Sequence, residues 1–306
     1  MNSLQFFTSF YGILRPNKYL PNRFFSPLRY LTRLLANYYI PRFLSKNTKY
    51  SNNVSEDIVV SLTSFPARIN HVWKVIKCLK NQDVRPRKII LWLSKDQFPD
   101  AMIPSNLQKE IDDVFSIVFV GDDIRSHKKY YYAMRSYPQN VIITVDDDVF
   151  YKQNMISSLL EIHKLKPHSI VANTTSIISY NKNSLMKYNN WERNYNPKEC
   201  ENLIQIGVGG VLYPPGCLHS LVLEKDVFMS LAPLADDIWL NAMARLKGTH
   251  IIQSGMVSMV LPIDTKSPSL SSENVGNNEN DIQIHNIRKY CEQFLGVDPY
   301  SANFVK

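Results

Sequence analysis

The chain has 306 residues, 44% hydrophobic and 20% charged, a globular composition that excludes wholesale disorder and fibrous folds. Its net charge of +8 sits at one end: residues 1–50 carry eight basic side chains (Arg15, Lys18, Arg23, Arg29, Arg33, Arg42, Lys46, Lys49) and no Asp or Glu, and the rest of the chain is balanced. A charge so placed argues against a basic face spread over a folded body, so nucleic acid is not an expected partner.

Cys78, Cys200, Cys217 and Cys291 show no C-x-x-C spacing and are too few and scattered for a disulfide framework, which points to a reducing compartment, the cytoplasm. No run approaches the ~18 consecutive apolar residues of a membrane span. The first charge is Arg15, so the apolar start lacks the basic leader of a secretory signal.

Residues 1–50 also hold twelve of the 35 aromatic residues, interleaved with the cations: Phe24 and Phe25 after Arg23, Tyr30 after Arg29, Tyr38 and Tyr39 before Arg42. Rings beside Lys and Arg suit a lipid interface, where rings enter the headgroup region and cations meet anionic lipid. The expectation is peripheral attachment to an anionic membrane, with a basic arm that packs on the body or binds another protein as the alternative. Pro16, Pro21, Pro27 and Pro41 predict that the segment is broken into short pieces, with 28–40 the best helical stretch.

From residue 57 strand and helix alternate. Asp57–Leu62, Lys88–Leu93, Ser116–Val120 and Asn140–Val145 read as buried strands. Between them, Ile69, Val72, Val75, Ile76 and Leu79 recur at helical spacing, and 104–113 and 128–136 are predicted helices. Such βα units predict an α/β fold: a Rossmann-like, mostly parallel central sheet with helices on both faces, whose ligands sit beyond the carboxyl ends of the strands. Further on, 154–165 reads as helix, 169–172 as a short strand, 206–213 as a strand and 236–246 as helix, whereas 179–205 shows no period. Residues 264–282, rich in Ser, Asn, Asp and Glu, read as a mobile loop. The expected division is 1–50 as a membrane-associating segment, 51–262 as the α/β domain and 263–306 as a C-terminal loop and helix.

The strand Val141–Val145 runs into Asp146-Asp147-Asp148. In an extended chain Asp146 and Asp148 face one way and Asp147 another. Two hard oxygen donors on one side suit Mg²⁺ or Mn²⁺ shared with phosphate oxygens. An acidic turn capping the next element is the plainer alternative, but three adjacent like charges repel and a strand end has no structural need of them.

Thr144-Val145-Asp146-Asp147-Asp148-Val149 resembles the D-x-D motif of GT-A-fold glycosyltransferases, most closely the family-2-like bacterial enzymes that build surface polysaccharides. The resemblance covers roughly residues 55–260. It implies a divalent cation on Asp146 and Asp148 that bridges the diphosphate of a nucleotide-sugar, of the UDP-sugar type. Thr63-Ser64-Phe65-Pro66-Ala67-Arg68 matches the loop that borders the nucleotide in those enzymes. Arg68 at the following helix start would face a phosphate. Thr63, Arg68, Asp96 just past the second strand, Asp147 and Lys129 make up the expected nucleotide-binding set. Lys129 matches the family's lysine before the D-x-D strand better than Lys128 does, although a lysine pair is more often a solvated face.

Gly207-Val208-Gly209-Gly210 lacks the third glycine of a dinucleotide fingerprint; glycines in a strand-like run instead allow close approach of a ligand or of other backbone. Pro233-Leu234-Ala235-Asp236-Asp237-Ile238-Trp239-Leu240 resembles the acidic E-D-x-x-L motif of inverting family-2 enzymes, with Asp236 in place of Glu. The resemblance implies Asp237 as catalytic base and Asp236 as its catalytic neighbour; an ordinary Asp cap is the alternative and needs only one of the two. At a helix N-terminus the carboxylate is expected to be favoured as the anion. The function implied is inverting, metal-dependent hexosyl transfer to a saccharide acceptor, and a lipid carrier on that acceptor would account for the basic N-terminus at the inner face of the cell membrane.

Two other readings compete. A haloacid-dehalogenase-type phosphatase also uses D-x-D at a strand end. It wants Thr or Val where this chain has Phe150, and it places the motif on its first strand, whereas three strands precede it here. A non-catalytic membrane-surface binding protein would not need the intact acidic clusters.

Overall fold

A computed structural model describes residues 2–14, 22–194, 202–256, 260–265 and 278–304. Arg15, Lys18, Pro16, Pro21 and Cys200, the side chain of Arg23 and most of the polar stretch 264–282 lie outside the described residues.

Seven strands form the central sheet: β1 (Val54–Thr63), β2 (Arg85–Ser94), β3 (Phe115–Val120), β4 (Val141–Thr144), β5 (Ile170–Ala172), β6 (Val211–Tyr213) and β7 (Ile251–Gln253). Their spatial order is β7-β5-β6-β4-β1-β2-β3. β1 runs parallel to β2 and β4, β2 to β3, and β5 to β7; β6 alone runs antiparallel, between β4 and β5. The expected α/β architecture is thus present. The apolar runs of β1, β2 and β4 are buried along their length, as a sheet covered on both faces requires.

After β1 the chain turns to one side through β2 and β3; β4 joins the other edge of β1. The order reverses at the β1/β4 boundary, the place where a crevice opens in such sheets. Ser61 of β1 is level with Thr144 of β4, and the Val145 N–H still reaches the Ser61 carbonyl at 3.0 Å. Thr63–Arg68 and Asp146–Asp148 therefore emerge side by side. Because β6 is antiparallel and pairs Val211 with Thr144, the residues just before Val211 fold over the same spot.

The helices are α1 (Ser3–Ile13), α2 (Asn22–Asn47), α3 (Val72–Lys80), α4 (Ser105–Gln108), α5 (Lys128–Ser136), α6 (Met155–Leu165), α7 (Lys225–Leu231), α8 (Asp236–Lys247) and α9 (Glu279–Leu295). Three expectations change, one of them the loop read over 264–282, which has given way to α9 by Glu279. The helix read over 104–113 is a single turn, because Asp112 Oδ1 accepts from the N–H groups of Val114 and Phe115 and turns the chain into β3. The strand read over 206–213 starts only at Val211, because a 3₁₀ turn occupies Gly207–Gly209 and Gly210 has φ +88°, which glycine adopts without strain.

The N-terminal segment departs furthest from expectation. α2 runs unbroken through Pro27 and Pro41, although an interior proline costs ~3 kcal/mol. Tertiary packing offsets that cost: Ala36, Ile40 and Leu44 of α2 and Leu4 of α1 are fully buried in the same core as Ile58, Val60 and Leu62 of β1, each larger side chain contributing ~1.5–3 kcal/mol. Asn37 ties α2 to the body by donating to the Pro262 carbonyl at 3.1 Å and accepting from the Asp264 N–H at 2.8 Å. The described part of the basic segment is therefore packed on the α/β body. No helix among the described residues is long and apolar enough to cross a membrane. Cys78, Cys217 and Cys291 are free and buried.

Candidate functional site

The three aspartates do not sit on β4 itself. The strand ends at Thr144 and the carboxylates follow in a bend, so their divergence comes from the turn rather than from strand pleat. Asp147 is buried and points back beneath the Thr63–Arg68 loop. There it accepts from the Ser64 hydroxyl and, at 2.9 Å, from Arg68. Asp146 and Asp148 keep open sides, with side chains 30% and 26% exposed.

Each outer aspartate has a cation. Arg68, itself buried, reaches Asp148 at 2.8 Å as well as Asp147. Lys129 Nζ is 2.7 Å from Asp146 Oδ1 and 3.1 Å from Asp236 Oδ2. Burial pulls the Lys129 ammonium down, but Asp146, Asp236 and Asp237 outweigh it and hold Lys129 well above its ordinary value. Lys128 is directed elsewhere, to Asp123. α5 accounts for this split, since neighbours on a helix point about 100° apart.

Asp236 and Asp237 open α8. Burial works against the Asp236 anion, and Lys129 and then His127 reverse it, so its pKa lies below the usual range. Asp237 goes the other way. Burial first, and the Asp236 charge second, push it up to about 7. The expected preference for the anion at a helix N-terminus is overridden there, because a neighbouring full charge in a dry site exceeds a partial helix charge. Asp237 Oδ2 accepts from the Gly207 N–H at 3.0 Å. A Cβ on Gly207 would stand 3.1 Å from Asp237 Oδ1, 3.1 Å from Lys129 Nζ and 3.5 Å from Asp146 Oδ1. Gly207 thus lies at the junction of both acidic motifs and the lysine, where a side chain would crowd all three.

Asp146, Asp148, Asp236, Asp237, Lys129 and Arg68 come together, with Asp147 as their support. Thr63 and Asp96 do not join them. Thr63 donates to the Trp92 carbonyl at 2.8 Å, and Asp96 is exposed beyond β2, near Lys128. Sequence reasoning gave no role to Ser64, Tyr151 or Gln205, and reached Tyr213 only as the start of the turn Tyr213–Gly216, which lines the sugar and acceptor pocket in the resembling enzymes. Ser64 lies inside the quoted loop. Tyr151 accepts the Asp146 N–H on its hydroxyl at 2.8 Å, five residues from the motif. Gln205 donates to the Asp237 carbonyl at 3.0 Å. The Tyr213 hydroxyl is buried with no hydrogen-bond partner among the described residues and is pushed up by its burial and then by Asp237 and Asp236. Only the Gly-x-Gly-Gly run hinted at the backbone donor.

Chemically, five carboxylates face two cations here. Burial, with Asp146 second, lifts Asp148 to about 6. An excess of hard oxygen donors whose mutual repulsion is felt at a partly open edge fits a divalent cation shared with phosphate oxygens. No cluster of three or more His, Cys, Asp or Glu suited to a metal occurs among the described residues.

No protein-family model and no curated protein sequence matches the chain. Among solved structures it is similar to 4-diphosphocytidyl-2C-methyl-D-erythritol synthase from Anaerococcus prevotii (11% identity, 74% of this chain and 96% of that one, TM-score 0.41). It is also similar to a putative glucose-1-phosphate thymidylyltransferase from Bacillus anthracis (10%, 75% and 96%, TM-score 0.39) and a UDP-glucose pyrophosphorylase from Acinetobacter (10%, 78% and 94%, TM-score 0.39). Likeness at this level concerns the layout of the chain, and nothing about the site is drawn from it.

Proposed function

We propose that the protein is a metal-dependent glycosyltransferase that moves a hexosyl group from a nucleotide-sugar, of the UDP-sugar type, to a hydroxyl of a saccharide acceptor with inversion. The observation that supports this best is the meeting of two acidic motifs far apart in sequence, Asp146–Asp148 and Asp236–Asp237, around the single ammonium of Lys129. A structural cap or an acidic turn would not need the other motif.

Asp146 and Asp148 would hold the cation, Mn²⁺ or Mg²⁺, which when bound supplies positive charge for the departing diphosphate. Lys129 and Arg68 add charge at the same edge. Asp147 acts beneath them as an anchor for Ser64 and Arg68, while Thr63 and Asp96 border the nucleoside side. Asp237, with one oxygen fixed by the Gly207 N–H, takes the proton of the acceptor hydroxyl on its other oxygen. The acceptor oxygen bonds to the anomeric carbon as the bond to the diphosphate breaks, and the nucleoside diphosphate departs with the electron pair. Asp236 stays ionised and keeps Lys129 in place. An acceptor carried on lipid, met at the inner face of the cell membrane during polysaccharide assembly, accounts for the uncompensated cations of residues 1–50.

The test is a panel of nucleotide-sugars with Mn²⁺, read as nucleoside diphosphate release with and without saccharide acceptors. Release from one donor, abolished by chelation, is expected. Phosphate release from simple phosphomonoesters instead would favour a phosphatase, and no release from any donor would count against the reading.

A further inference from the structure

Sixteen large apolar side chains are exposed among the described residues, and nine of them belong to α1 and α2: Phe6, Ile13, Leu28, Tyr30, Leu31, Leu34, Leu35, Tyr38 and Tyr39. Scattered exposed apolar residues are ordinary; a contiguous set on one element is not. Leu28, Leu31, Leu35, Tyr38 and Tyr39 recur at spacings of three and four, so they form one stripe along α2. Its centre lies about 130° round the helix from that of the buried stripe of Thr32, Ala36, Ile40 and Leu44. α2 is therefore apolar on two faces, and the body covers only one. At the C-terminal end the outer stripe continues into exposed Arg42 and Lys46, with the Arg42 guanidinium 3.4 Å above the Tyr38 ring.

We propose that the outer face of α2, with Phe6 and Ile13 of α1 beside it, is a docking surface for an anionic lipid bilayer. This deepens the membrane setting suggested above by naming the surface. It also changes the kind of attachment: a face of a helix sealed into the core of the catalytic body, rather than a tether.

Charge selects the occupant. With no acidic residue in the first 50, nothing on the segment repels anionic headgroups, and each cation near such a surface adds attraction that salt weakens. A second copy of the chain is the other candidate cover. Two-fold pairing of this face would set cations against cations, which favours lipid. The arrangement of Leu and Tyr beside Arg and Lys is that of a helix lying in the plane of the interface, its rings at headgroup depth.

The experiment uses the full chain and two double variants at exposed positions, Leu31→Ser/Leu35→Ser and Arg42→Glu/Lys46→Glu. Co-sedimentation is read with vesicles of phosphatidylcholine alone and of phosphatidylcholine with phosphatidylglycerol. The native chain is expected to bind the mixed vesicles and not the neutral ones. Each double variant should lose at least roughly tenfold in partitioning, as expected for two side chains removed from an apolar contact or two cations reversed. Equal binding to both vesicle types, or unchanged binding by both variants, would overturn the proposal. So would light scattering that shows a dimer dissociated by Leu31→Ser/Leu35→Ser together with no vesicle binding. Nucleotide–Mn²⁺ affinity is measured in parallel on the same variants and should not move, so failure of the docking surface and failure of the transferase reading give different results.

Discussion

The Gly207 N–H donates to Asp237 Oδ2 across 3.0 Å, so a backbone amide of the turn leading into β6 fixes the carboxylate that opens α8. One oxygen is oriented and the other remains for a proton. A Cβ on the same glycine would touch Asp237, Lys129 and Asp146 together, at 3.1, 3.1 and 3.5 Å.

Gly207→Ala is expected to leave the fold intact and to damage the site. The added carbon must displace Asp237, Lys129 or both by a few tenths of an ångström. Misplacing a reacting group can cost up to about a hundredfold in rate, so turnover should fall at least roughly tenfold. Gly121→Ala, where an added Cβ meets nothing within 4 Å, is the control and should stay active. Equal turnover in the two variants would remove Gly207 from the site.

Asp237→Asn is expected to lower turnover by ~10²-fold or more, as loss of a general base does, with little change in donor affinity. In the native protein, activity should rise with pH through about 7, because Asp237 is pushed up to about 7 and accepts a proton only when ionised. Asp236 is the second cause of that rise, after burial. Asp236→Asn should therefore shift the acid limb of the rate profile to lower pH. A limb that stays in place in Asp236→Asn, or normal turnover in Asp237→Asn, contradicts the assignment.

The three consecutive aspartates should respond differently. Asp148→Asn and Asp146→Asn should abolish Mn²⁺-dependent nucleotide binding, read by calorimetry, while melting stays cooperative. Asp147→Ala should instead lower stability by about 1–3 kcal/mol, the usual cost of taking the acceptor from buried donors, here Ser64 and one N–H of Arg68, while Asp148 still pairs the guanidinium. A denaturant midpoint unchanged in Asp147→Ala would contradict its role as anchor.

How much of this was legible in the sequence depends on range. The parallel strands were readable because each is a short apolar run bounded by turns, and the position of Asp146–Asp148 followed from where such a run ends. The pairing of Lys129 rather than Lys128 with the site came only from resemblance, since α5 could be placed but not rotated from sequence alone. The path of α2 was misread because Pro27 and Pro41 weigh heavily in local rules, whereas burial of Ile40 and Leu44 against β1 is a long-range effect. The particular roles of the Tyr213 hydroxyl and the Gly207 N–H could not be assigned for the same reason: they exist only once β6 is laid antiparallel beside β4.

Removal of residues 1–50 is expected to unfold the protein rather than release a soluble body. Leu4, Ile40 and Leu44 are fully buried, and exposing their site would forfeit roughly 1.5–3 kcal/mol for each such side chain against a total stability of only about 5–15 kcal/mol. The truncated chain should be insoluble or lack a cooperative melt by circular dichroism. A cooperative transition at the native temperature would show that the helices only rest on the surface.

His127 gives the protein a built-in acid sensitivity of its fold. Its Nε2 lies 2.8 Å from the Ala232 carbonyl, which can only accept, so Nε2 carries the proton and Nδ1 accepts from the Tyr130 hydroxyl at 3.0 Å. The ring is fully buried and stacks on Phe228 at 4.5 Å. A second ring proton would force the Tyr130 hydroxyl hydrogen onto the Val222 carbonyl, a longer contact of 3.4 Å, and burial, opposed next by the Asp236 charge, holds the pKa down to about 4 from 6.5. Below pH 6.5 the unfolded chain binds a proton that the folded one refuses, so stability falls as pH drops from 6.5 towards 4 and levels off below. The total is about 3 kcal/mol at 1.36 kcal/mol for each pH unit of displacement. His127→Gln should start less stable at pH 7, having lost the ring stack, and show a shallower decline between pH 6.5 and 4.5 by denaturant titration. Parallel declines in the two proteins would mean that other groups set the acid limit.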